Sequence, residues 1–133
     1  MRCNILSAIL IPYYCFVCSK IRTGEKSGVK EEQYILDPGI GFGKTVDQNI
    51  EILKHVKELQ NFKLPIAIGV SRKSHIGTML QKSLALEEVP APAERLAGSL
   101  AETAIAVMNG VTMIRTHDVL ETKKFLAVLE RII

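Results

Sequence analysis

The sequence predicts an α/β fold built on a parallel sheet, and three observations carry that prediction. Across residues 34–133, short apolar runs alternate with segments of helical periodicity, in the order strand, helix, strand, helix, strand, helix. Each run ends at turn or polar residues: Asp37-Pro38-Gly39, Ser71-Arg72-Lys73-Ser74, and Arg115 with His117. The composition is that of a globular chain, 133 residues with 47% hydrophobic and 23% charged, long enough for one domain.

Tyr34-Ile35-Leu36 reads as a buried strand stopped by Asp37-Pro38-Gly39. Ile50, Leu53, Val56, Lys57 and Leu59 then take helical spacing behind Asp47, the predicted N-cap. Pro65 to Val70 is the second strand, and Ser74 to about Gln81 a short helix with Ile76, Met79 and Leu80 on one face. Pro90-Ala91-Pro92 reads as a loop. Glu94 to Met108 is rich in Ala and Leu, with Asn109-Gly110 as its stop. Val111 to Ile114 is the third strand and Glu121 to Ile133 a closing amphipathic helix.

Residues 1–27 stand apart as an atypical N-terminal segment. The apolar stretch Ile5 to Val17 is interrupted by Ser7, Pro12 and Tyr13-Tyr14, and it is shorter than the ~20 apolar residues of a membrane span. It is faintly like a signal peptide, but Pro12 falls within it and no clean cleavage pattern follows. The expectation is an orphaned stretch left by an aberrant start or a lost segment, or else a genuine helix or strand. Residues 20–33 read as a polar connector. Of the cysteines Cys3, Cys15 and Cys18, an odd set, none suggests a disulfide framework. Cys15-Phe16-Val17-Cys18 lacks the second pair that structural zinc needs, so the thiols read as buried or incidental in a reducing cytoplasm.

Net charge is +3, with Lys and Arg dispersed, no Trp and 5% aromatic residues. That pattern points away from nucleic-acid binding and leaves a small anionic ligand as a suitable partner. In parallel α/β folds the C-terminal strand ends face one side, so Asp37, Ser71 to Ser74, Arg115 and His117 should converge on one pocket. A carboxylate there accepts paired N–H donors, while Arg and Lys take phosphate-like oxygens. Gly39-Ile40-Gly41-Phe42-Gly43-Lys44-Thr45 fits neither a Walker A loop nor G-x-G-x-x-G by count, though its glycines permit close backbone approach. More ordinary readings stand beside these: Glu94 and Arg95 as a helix-start ion pair, Asp118 as a cap, Lys44 as a solvated cation, His55 and His75 as surface residues without a metal role.

Gly28 to Thr45, Gly69-Val70-Ser71-Arg72-Lys73-Ser74, Glu94 to Ser99, and Arg115-Thr116-His117-Asp118-Val119 with Glu121-Thr122 closely resemble, in order and spacing, the later motifs of dihydropteroate synthase. The resemblance covers about residues 28–133. It implies the C-terminal three βα units of a (β/α)8 TIM barrel, a partial pterin-binding domain over residues 28–133 without the family's first five strands. The implied enzyme is a cytoplasmic, sulfonamide-targeted transferase of folate biosynthesis. It joins p-aminobenzoate to 7,8-dihydropterin-6-ylmethyl diphosphate, forming dihydropteroate and diphosphate with Mg²⁺ as cofactor. The resemblance further implies that Asp37 holds the pterin N–H groups, Gly69 shapes the pterin slot and Lys73 bonds the pterin near the p-aminobenzoate. Arg115 stacks on the pterin and, with His117, lines the diphosphate subsite, and Phe42 and Ser74 flank the p-aminobenzoate. Lys73, Arg115 and His117 carry the catalytic roles, and no metal ligand is assigned to this chain. With half a barrel absent, activity is expected to need the missing N-terminal half; the candidate partners are a complementing N-terminal half or a second copy that pairs as a homodimer to bury the exposed edges. The alternatives are a non-catalytic pterin-binding or assembly module and a methyltetrahydrofolate methyltransferase-like domain. No nucleic-acid or membrane partner is expected.

Overall fold

The computed structural model describes residues 10–133; Met1-Arg2, Cys3 and the start of the apolar run from Ile5 lie outside the described residues. Among the described residues five α-helices, α1 (Leu10–Lys26), α2 (Val46–His55), α3 (Ser74–Ser83), α4 (Leu96–Met108) and α5 (Val119–Leu129), and two short strands, β1 (Ala67–Ile68) and β2 (Met113–Ile114), follow in the order α1, α2, β1, α3, α4, β2, α5. 3₁₀ turns occupy Glu31–Gln33, Val56–Phe62 and Pro92–Arg95.

The segment around β1 is the middle of the sheet. On one side it pairs in parallel with β2, in register Ala67 with Met113 and Ile68 with Ile114. On the other, Leu36 makes a single parallel bridge to Ile66, its N–H donating 2.9 Å to the Pro65 carbonyl and its carbonyl accepting 2.8 Å from Ala67. The first predicted strand is thus reduced to one bridged residue, because Pro38 has no N–H to continue the ladder. Leu36, Ile66, Ile68 and Val70 are buried with Ile52, Leu53, Val56 and Leu59 beneath α2 and with Ala106 of α4. The fold is α/β, as predicted, with the first strand shortened to a bridge.

The N-terminal segment corrects the sequence reading most. α1 runs through Lys26, so the connector expected over residues 20–33 is helix for half its length. Tyr14, Val17 and Ile21 recur at the i, i+3, i+7 spacing of one helix face, and that face meets the core: Val17 is buried and Tyr14 and Ile21 lie against it. The Tyr14 ring sits 4.5 Å from that of Phe62, its hydroxyl donates to the Glu58 carbonyl, and Tyr34 donates 3.1 Å to the Ile21 carbonyl. Cys15 and Cys18 are free and exposed rather than buried. Among the described residues no helix is long and apolar enough to cross a membrane.

Other differences have equally local causes. The N-cap of α2 is Thr45, not Asp47. Its hydroxyl accepts from Gln48 N–H at 3.2 Å while the Gln48 side chain accepts from Thr45 N–H at 2.9 Å, a reciprocal capping box that leaves Asp47 in the first turn. Glu94 and Arg95 form no mutual pair among the described residues: Glu94 accepts 2.8 Å from Ala91 N–H and Arg95 turns to the Pro90 carbonyl at 2.9 Å. His75, expected on the surface, is 3% exposed. Its Nε2 lies 2.8 and 3.0 Å from the two carboxylate oxygens of Glu102 on α4. A polar ring tolerates that burial because a partner meets it there.

Leu59 is fully buried in the core, and truncating such a side chain costs about 2–5 kcal/mol. Leu59→Ala should therefore lower the urea midpoint sharply, while Lys57→Ala on the adjacent exposed position should leave it within about 0.5 kcal/mol of the parent. Similar midpoints for the two variants would contradict this placement of the core.

Candidate functional site

Because the strands are parallel, their C-terminal ends emerge on one edge, and the residues that follow them meet there. Gly69, Ser71, Lys73, Arg115, Thr116 and His117 line one cleft of about 270 Å³. Gly69 is required by close approach: a Cβ there would stand 2.8 Å from Nη2 of Arg115, so its hydrogen makes room for the guanidinium. Gly41, at φ +77°, is needed twice over, since a Cβ would meet Cδ of Lys73 at 2.7 Å. The glycine loop thus lies directly over the Lys73 stem, and the ammonium sits 3.8 Å from the centre of the exposed Phe42 ring.

Lys73 and Arg115 give the cleft a cationic lining, with the His117 imidazole beside them. Burial, then Arg115, pull the Lys73 ammonium below its ordinary value, with Asp37 opposing and Lys44 adding to the fall. Bound anion oxygens would reverse that shift. His117 is held from behind by Ser71, whose hydroxyl accepts the His117 backbone N–H at 3.1 Å and lies 3.0 Å from Nδ1. The contact fixes the ring's orientation, with Nδ1 turned to Ser71 and Nε2 on the outer side. Asp37 follows the Leu36 bridge on the same edge, exposed, with Oδ1 accepting from Gly39 N–H at 2.8 Å.

The two loops are clasped through Arg72. Its backbone takes the left-handed conformation, φ +58°, which a non-glycine residue adopts at a cost of about 1–2 kcal/mol. Three partners hold it there. Ser99 Oγ accepts its N–H at 2.8 Å, Arg95 Nη1 donates 3.1 Å to its carbonyl, and its guanidinium grips both carboxylate oxygens of Asp118, with Nε at 3.0 Å from Oδ2. Asp118 stands at the N-cap position of α5 without capping it; its side chain is committed to Arg72 instead.

Of the residues singled out from sequence, Gly69, Lys73, Arg115 and His117 share the cleft, Phe42 joins through Lys73, and Asp37 adjoins. Ser74 opens α3 beside Lys73, exposed, and does not line the cleft. Lys44 is no free cation: it donates to the carbonyls of Gly39 (2.8 Å) and Phe42 (3.2 Å). Sequence reasoning missed Asn49, buried in α2, whose Oδ1 accepts from Gly41 N–H at 2.8 Å. The signal was present: an amide on the same helix face as Ile52, Leu53 and Val56. For a divalent cation the donor set is wrong. Mg²⁺ takes carboxylate, carbonyl and water oxygens, whereas this cleft presents cations beside the single Asp37 carboxylate. Among the described residues no three His, Cys, Asp or Glu cluster as ligands.

Comparison with known proteins gives the same direction. The family described as pterin binding enzyme matches residues 15–117. The dihydropteroate synthase of Escherichia coli K12 is 41% identical over 115 residues, covering 86% of this chain and 38% of that protein. That of Clostridium beijerinckii is 42% identical over 105 residues, covering 78% and 36%. Among solved structures, Yersinia pestis dihydropteroate synthase superposes with a TM-score of 0.86 at 35% identity over 97% of this chain and 50% of that one. The Xanthomonas albilineans enzyme in complex with 7,8-dihydropteroate gives 0.83 at 30% identity, over 99% and 48%. The chain therefore spans under two-fifths of the length of these curated relatives and about half of the solved chains. The similarity begins thirteen residues before the motif at Gly28, so it includes most of α1.

The clasp has a pH signature. Hydrogen bonding to Arg72 holds the Asp118 carboxyl below its ordinary range, so its contribution to stability is full above the ordinary aspartate value of about 3.9 and is lost as pH falls through the lower folded value. Asp118→Asn should flatten that acid limb of the urea midpoint measured from pH 6 to 2.5. An unchanged acid limb would show that the Arg72 to Asp118 contact carries no stability.

Proposed function

The chain belongs to the pterin binding enzyme family, and from that premise we propose that it forms three βα units of a (β/α)8 barrel carrying part of a dihydropteroate synthase active site. The observation that carries this reading is the shared cleft of Gly69, Lys73, Arg115 and His117 at the C-terminal strand edge, with Asp37 adjoining. Its ligand would be 7,8-dihydropterin-6-ylmethyl diphosphate: the pterin N–H groups on Asp37 and Lys73, the ring against Arg115, the diphosphate oxygens toward Arg115 and His117. Phe42 and Ser74 would face p-aminobenzoate, the position a sulfonamide takes.

The reaction is a substitution at the pterin methylene carbon. The amine lone pair of p-aminobenzoate forms the new C–N bond, the C–O bond to diphosphate breaks with its electron pair leaving on the diphosphate oxygen, and the proton lost by the amine passes to the released diphosphate or to water. Charge grows on the departing oxygen, where Arg115 and Lys73 stabilise it and the His117 ring can bond it. Mg²⁺ would arrive on the diphosphate oxygens, since this chain offers it no carboxylate cluster, and no step here runs through it.

A closed barrel needs five further βα units, from polypeptide beyond these 133 residues. The outer edge of β2 and the exposed Ile105, Met108, Val119, Leu120 and Val128 favour an assembly role alongside, in which a complementing half or a second copy covers this apolar surface. A cytoplasmic setting suits such an enzyme.

Calorimetric titration with the dihydropterin diphosphate should give binding, and Asp37→Asn should weaken it by about 1–3 kcal/mol, the cost of unpairing a charged hydrogen-bond partner. With p-aminobenzoate and Mg²⁺ added, the chain alone should release little diphosphate. No pterin binding, or binding indifferent to Asp37, would contradict the reading; full turnover would contradict its dependence on further units.

A further inference from the structure

We infer that Tyr13 on α1 is a positioning residue for Asp37, so that the N-terminal helix takes part in setting the geometry of the site. This rests on the proposed pterin role of Asp37 for its functional consequence and on geometry alone for the positioning. The Tyr13 hydroxyl donates 2.9 Å to the Asp37 carbonyl across 24 residues of sequence. Burial, and then the nearby Asp37 carboxylate, push the Tyr13 phenol up to about 12, which keeps it a protonated donor at any ordinary pH. The next residue, Pro38, has no N–H, so the peptide that ends the strand lacks a donor with which to continue the ladder. The hydroxyl therefore fixes the tilt of the Asp37–Pro38 peptide plane, and with it the direction in which the Asp37 side chain leaves the backbone. The carboxylate is held in turn by Gly39 N–H at 2.8 Å, so one hydroxyl and one amide bracket Asp37, at its carbonyl and at its side chain.

Tyr14, one residue on, supplies the internal comparison. Its hydroxyl also ties α1 to a carbonyl, that of Glu58, but on the 3₁₀ turn after α2 and away from the strand ends. If Tyr13 served only to dock the helix, removing either hydroxyl would act alike. If it positions Asp37, only Tyr13 matters to the site.

The test uses the full chain labelled with ¹⁵N-glycine, which gives at most nine backbone signals, in parent, Tyr13→Phe and Tyr14→Phe forms. The Gly39 amide should shift and lose protection from hydrogen exchange in Tyr13→Phe but hold its place in Tyr14→Phe. Titration with the dihydropterin diphosphate should be about fivefold weaker for Tyr13→Phe, the effect of one ordinary hydrogen bond, and unchanged for Tyr14→Phe. An unmoved Gly39 amide in a folded Tyr13→Phe chain, or equal displacement in both variants, would overturn the inference. Should Tyr13→Phe fail to fold, Tyr13→Trp and a parent spectrum scanned from pH 6 to 8.5 would serve. An exposed, unconstrained Gly39 amide in the parent would itself overturn the bracket. A moved Gly39 with no pterin binding by any form would leave the positioning standing and sink the functional reading instead.

Discussion

The central segment Ile66 to Ile68 accepts a parallel neighbour on each side, and most of the molecule's chemistry depends on that arrangement. Alternate residues of an extended chain present their hydrogen-bonding groups to opposite edges. Leu36 therefore takes Pro65 and Ala67, while β2 takes Ile66 and Ile68. With all three chains running the same way, Asp37, the Gly69 to Ser74 loop and the Arg115 to His117 loop leave the sheet at one end. An antiparallel neighbour would have sent one of these groups to the far side. The cationic lining, with the carboxylate beside it, is thus a consequence of strand direction before it is a consequence of any side-chain contact.

Direction brings the loops near each other, and specific bonds then set their positions. Ser71 reaches the backbone and ring of His117, and Arg72 reaches Asp118, so the loop after β1 and the loop after β2 are tied at two successive residues. The cost of Arg72's left-handed backbone is offset by Ser99, Arg95 and Asp118 together. α4 therefore supports the site without contributing a residue to the cleft. The glycine loop receives comparable support from α2 through Asn49, and the end of the first strand from α1 through Tyr13. α1, α2 and α4 thus each fix one strand-end loop.

Much of this was legible in the sequence because it rests on local signals. The alternation of apolar runs with helical periodicity, the turn at Asp37-Pro38-Gly39 and the stop at Asn109-Gly110 are written in neighbouring residues, and the structure follows them to within a few positions. What escaped depends on partners distant in sequence. His75 is buried because Glu102 meets it, 27 residues later. Asp118 gives up its cap for Arg72, 46 residues earlier. The polarity of Lys20, Arg22, Thr23, Glu25 and Lys26 suggested a connector, although these are the exposed face of a helix whose other face, Tyr14, Val17 and Ile21, seeks the core. The site residues came from resemblance and strand-end position together. Asn49 and Tyr13, which support the site rather than line it, left only a misplaced amide and a tyrosine pair as signals.

The most direct test of the account is to map the dihydropterin diphosphate onto the chain by backbone amide shifts during titration. Perturbations gathered at Asp37 to Gly43, Gly69 to Ser74 and Arg115 to His117, with the Arg72 and Asp118 amides moving together, are the predicted result. Saturable perturbations confined to the exposed face of α1 or to the apolar surface of α5 would contradict the convergence of the strand ends on a ligand site.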